Sequence, residues 1–148
     1  MYSFGRDVIE LKGYKEILNV VTGLPKQFSD PYLRRVHTKA VIPLVNKIHL
    51  LAPVGLTGLL ADSIGVVKGK ELGGIIVGPR IGGQYKGFAG HLDEYGTKRR
   101  RTRRGANRGV MPAKPFERPA WEQTDGEVEQ NIAKQLDRDL GQFIRQTL

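Results

Sequence analysis

The chain has no cysteine, which excludes disulfide frameworks, cysteine-held zinc and thiol nucleophiles. No stretch approaches the ~18 apolar residues that a membrane span requires, so no membrane partner is expected. The N-terminal MYSFGRDVIE has neither a basic segment followed by an apolar one nor an Arg-rich, acid-poor transit pattern, and predicts an unsecreted protein. Histidine is scarce. His37, His49 and His91 lie far apart and in no H-x-x-x-H or H-E-x-x-H spacing, so no metal site is predicted. Catalytic chemistry is equally thin. His91, Asp93 and Glu94 are the closest acid–base grouping, but neighbouring positions on one short segment supply neither a separated carboxylate pair nor an activated nucleophile. Gly78-Pro-Arg-Ile-Gly-Gly lacks the G-x-x-x-x-G-K-[ST] order of a phosphate loop, and no cofactor is expected. The reading is a non-enzyme.

What is present begins with charge. The 148 residues carry a formal +9, yet Lys98, Arg99, Arg100, Arg101, Arg103, Arg104 and Arg108 place seven positive charges in eleven residues with no acid among them. Removing them takes the net charge from +9 to +2, so the basicity belongs to one segment rather than to a whole face. Unpaired guanidinium groups resist desolvation, which predicts a protruding hairpin or loop over 97–111 that meets water or an anionic partner. Glycine is also concentrated: 12 of 19 lie between Gly65 and Gly109, which makes the middle turn-rich. The length suits one domain, 1–148, that buries roughly 68–70% of its unfolded surface.

Periodicity orders the rest. Leu11, Tyr14, Ile17, Leu18 and Val21 predict a short first helix over 10–21. Asp30-Pro31 is a helix-start signal with the carboxylate as cap, and Leu33, Val36, Ala40, Leu44, Ile48 and Leu51 form one apolar stripe that Pro43 should kink. A turn at Thr57-Gly58 follows. The glycine-bounded runs 64–69 and 74–79 predict a β-hairpin. Residues 80–90 read as irregular, 91–97 as a helical turn or a strand, and 105–120 as extended or turned because of Pro112, Pro115 and Pro119. Thr124-Asp-Gly-Glu127 fits a capping box before a terminal helix bearing Val128, Ile132, Leu136, Leu140 and Phe143. Trp121 and Phe116 precede it as expected core anchors. The predicted fold is α+β: a small, mainly antiparallel sheet packed on a long kinked helix and a C-terminal helix, with the long basic loop inserted.

Several of these pieces form an ordered set. Leu24-Pro25, Leu51-Ala52-Pro53, Thr57-Gly58-Leu59, Ser63-Ile64, Ile76-Val77-Gly78, Glu94-Tyr95-Gly96-Thr97 and Pro112-Ala113-x-Pro115-Phe116-x-x-Pro119-Ala120 come before a terminal helix. In this order, over roughly 10–148, the chain resembles the neck and tail-completion proteins of long-tailed bacteriophages. The resemblance implies a non-enzymatic α+β subunit, assembled in the host cytoplasm into a ring, a hexamer, in the virion neck. Its partners would be adjacent head-completion or stopper rings and tail-terminator or tail-tube rings. Relatives pass from the EYGT-like to the PAKPF-like motif with little between, so the basic segment's role lies outside the resemblance. Its candidate partners are channel DNA and a neighbouring ring. Tyr85 and Phe88, among the glycines of 82–90, are expected to anchor a loop against a neighbouring subunit. The competing reading is a stand-alone nucleic-acid-binding module, against which the last 30 residues carry six acids and three bases.

Overall fold

In a computed structural model, residues 23–24, 28–55 and 58–147 are described. The predicted helix over 10–21 and Thr57 of the predicted turn lie outside them. Helices α1 (Asp30–Ala40) and α2 (Ile42–Leu51) follow the apolar stripe. They are two helices, broken at Val41 (φ −86°, ψ 4°), rather than one kinked rod. Pro43 accounts for the break, since it cannot donate to the carbonyl four residues back and its ring crowds that turn. Val36, Ala40, Leu44 and Ile48 are buried, whereas Leu51 lies at the rim.

A single-turn helix α3 (Leu59–Ser63) leads into strand β1 (Ile64–Lys68), which pairs antiparallel with β2 (Ile75–Pro79) in the register Val66 opposite Val77. The predicted hairpin is present. Residues 81–90 are regular where irregularity was expected: β3 (Ile81–Gly82) pairs with β4 (Tyr85–Lys86), and a 3-10 turn (Gly87–Ala89) runs into α4 (Gly90–Tyr95). The strand part is thus two small antiparallel sheets. The β1–β2 sheet packs on α2 and shares its core with the start of α5 (Glu117–Thr147), a 31-residue helix about 46 Å long, while β3–β4 lies beside α3.

The core joins Val41, Leu44, Ile48 and Ala52 to Ile64 of β1 and to Phe116, Ala120 and Val128. Phe116 is fully buried, as expected of an anchor. Trp121 is not, since it remains 45% exposed. The buried positions Ala120, Thr124 and Val128 recur every fourth residue, and Trp121 falls beside that row.

Two sequence expectations about helix ends are corrected. Asp30 does not cap α1; its carboxylate accepts Arg34 Nε at 2.7 Å and the Gly73 N–H at 2.7 Å. Arg34 also donates to the carbonyls of Gly69, Glu71 and Gly74, while His37 Nδ1 lies 2.7 Å from the Gly73 oxygen. The turn between β1 and β2 is thereby clamped onto α1. Nor does Thr124 start the last helix, which begins seven residues earlier, so Glu117 to Ala120 are helical rather than extended. Inside that helix, Thr124 Oγ1 donates to the Ala120 carbonyl at 2.8 Å.

Candidate functional site

The basic segment folds back on itself as an irregular hairpin ribbon, with one antiparallel bridge and no regular strand. Thr97 N–H donates to Met111 O at 2.8 Å, Arg100 N–H to Gly109 O at 3.0 Å, Arg108 N–H to Arg100 O at 2.8 Å and Thr102 N–H to Ala106 O at 2.8 Å. Arg101 pairs with Asn107 in an antiparallel bridge. The tip is Arg103-Arg104-Gly105, closed by Gly105 N–H to Thr102 O at 2.9 Å, with Gly105 at φ +83°. A three-residue hairpin loop needs one left-handed residue at that place, and glycine adopts it without strain. Gly105 is therefore part of the turn itself. The local signal was the order T-R-R-G.

The ribbon's base is fastened to the core by the two motifs on either side of it. Glu94, buried on α4, accepts the N–H groups of Phe116 at 2.6 Å, Glu117 at 2.9 Å and Arg118 at 3.1 Å. Lys114 N–H donates to Asp93 O, and Met111 N–H to Thr97 Oγ1 at 3.0 Å. Gly96, at φ +70°, lies so close to the returning chain that a Cβ would sit 2.7 Å from Met111 O and 2.8 Å from Ala113 N. Burial by itself would raise the Glu94 pKa, but the three N–H groups outweigh it and hold the carboxyl below its usual range. Glu117 moves the other way, pushed up by burial and then by the Glu94 charge.

All seven basic side chains of the ribbon are exposed, and none has a carboxylate within 4.0 Å among the described residues. Of His91, Asp93 and Glu94, Glu94 has a structural role, its carboxylate facing helix N–H groups.

Tyr85 and Phe88 are separated in role. The Arg80 guanidinium sits 3.7 Å from the Tyr85 ring centroid and donates to the carbonyls of Ser63 and Ile64, so Tyr85 is engaged within its own chain. Phe88 is 62% exposed beside a groove of about 370 Å³ that Val54, Leu59, Lys86 and Lys114 also line. A second groove, about 480 Å³, runs between Leu44, Ile48, Val77, Tyr95 and Trp121. Sequence reasoning missed this one, because the exposure of Trp121 depends on where α5 begins. Among the described residues no helix is long and apolar enough to cross a membrane, and no three His, Asp or Glu side chains gather as a metal site. Comparisons with family models, with curated proteins and with solved structures find no match for this chain.

Proposed function

We propose that this chain is a structural, non-enzymatic subunit of the neck of a long-tailed bacteriophage, closing as a homo-oligomeric ring, a hexamer, that joins the DNA-filled head to the tail. The observation that supports it is the clasp between two motifs of the resemblance. Glu94-Tyr95-Gly96-Thr97 and the segment 112–120 meet through the Glu94 carboxylate and the close approach at Gly96. Both motifs thus serve one structural joint. A closed ring of identical subunits leaves a central channel, which a neck needs for DNA passage. Its neighbours in this reading are a head-completion or stopper ring on one side and a tail-terminator or tail-tube ring on the other. Phe88 and the groove beside it are the surface offered to a neighbouring subunit. Virions labelled with antibody against the chain should carry label at the neck, and loss of the protein should leave filled heads and separate tails that fail to join. Label elsewhere, or empty heads, would overturn the reading.

A further inference from the structure

We infer that the ribbon over 97–111 is a sequence-independent binding element for the phosphate backbone of duplex DNA. Its charges are exposed and have no carboxylate within 4.0 Å among the described residues, so none has to be released from an internal ion pair before it meets an anion. Six of the seven are arginine, whose planar fork can hold two phosphate oxygens at once. The backbone ladder and the Gly105 turn fix the ribbon, and the close approach at Gly96 anchors its base, so the charges are held together instead of being gathered on binding.

Composition selects the partner. Protein interfaces are anchored by Trp and Tyr as well as Arg in buried pockets, and between Thr97 and Met111 the ribbon offers its arginines with no aromatic and only Ala106 and Val110 as apolar side chains to build such a pocket. Single-stranded nucleic acid is held largely by stacking on aromatic rings, and this segment has none. A duplex asks for neither, because phosphate contacts supply nearly all of non-specific affinity. Contacts of this kind also let a duplex slide past. The inference stands whether or not the chain sits in a neck.

The test is fluorescence anisotropy of the purified full chain with a labelled mixed-sequence duplex and the matching single strand, from about 50 to 200 mM salt. The duplex should bind more tightly than the strand, with log K falling linearly in log salt. Arg103→Ser with Arg104→Ser should make that slope shallower by about 2, at about 0.9 for each phosphate no longer neutralised, with the melting temperature unchanged. Lys134→Ser with Arg138→Ser, exposed cations on α5, is the charge-matched control and should leave the slope as it is. No duplex binding, equal effects of the two double variants, or preference for the single strand would each overturn the inference. So would salt-sensitive association of the chain with itself that the hairpin variant abolishes while duplex binding persists, which would identify a protein surface as the partner.

Discussion

The carboxylate of Glu94 starts the last helix by accepting the N–H of Phe116, 22 residues further along the chain, at 2.6 Å. An α-helix begins with four N–H groups that have no partner inside it. Here Glu94 takes those of Phe116, Glu117 and Arg118, and the fourth position is Pro119, which has none. The intrahelical ladder then begins with Ala120 N–H to Phe116 O. Because α4 carries Glu94 and the ribbon lies between the two partners, the same hydrogen bonds close the base of the ribbon.

Glu94→Ala should therefore cost about 2 kcal/mol, the scale of leaving buried donors unpaired, and should shorten α5 at its start. Amide exchange at Phe116 to Arg118 is the check. Protonation gives a second one. With the folded pKa of Glu94 below its ordinary 4.5, its stabilisation is complete above that value and is lost as pH falls through the lowered one. Glu117 has the opposite sign: its raised pKa makes protonation favour the folded state, so its contribution improves as pH falls through that raised value. Glu117→Gln should raise stability in urea unfolding at neutral pH, and that gain should shrink on acidification.

Gly96→Ala should open the base of the ribbon, since the new methyl meets backbone atoms on 111–113 and the residue sits at φ +70°. A loss of about 2 kcal/mol is expected, together with faster amide exchange at Thr97 and Met111.

The tyrosine titration should be split. Burial, then the hydrogen bond to Asp139 Oδ2 at 2.6 Å, pushes Tyr32 up to about 12. Ultraviolet absorbance against pH should show a late tyrosine step that Tyr32→Phe removes and that Asp139→Asn brings down.

Val128 and Leu136 lie on the same helix with different consequences. Val128 is 2% exposed within the core, whereas Leu136 is half-buried beside an open groove with Phe28 and Leu140. Val128→Asp should abolish folding by burying an unpaired charge, and Leu136→Asp should lower the melting temperature without abolishing it. Equal effects would refute this account of the packing face.

Tyr85→Ala should lower stability by about 1 kcal/mol because the Arg80 guanidinium then has no ring to stack on, while Phe88→Ala should leave the melting temperature unchanged. In the neck reading, Phe88→Ala alone should impair head-to-tail joining in assembly extracts.

Much of this protein was determined within a few residues of chain. Pro31 and Pro43 set where α1 begins and where the stripe breaks, because a missing N–H and a fixed φ act locally. The glycine-bounded β-branched runs pair as expected, and seven cations without an acid project into solvent because nothing nearby repays their desolvation. Tertiary structure decided which of the polar signals are used. Thr124 to Glu127 has the spacing of a capping box, yet Thr124 is buried in mid-helix, since a carboxylate from another helix already satisfies the free donors at 116–118. Asp30 has the form of a cap and instead binds Gly73 and Arg34, because the β1–β2 turn arrives beside it. Trp121 looked like a core residue until the start of α5 set the helix phase, which turned Ala120, Thr124 and Val128 inward and left the indole at a groove rim. A hydrogen-bond donor is satisfied by whichever acceptor the fold brings nearest, and for these residues that acceptor is distant in the chain.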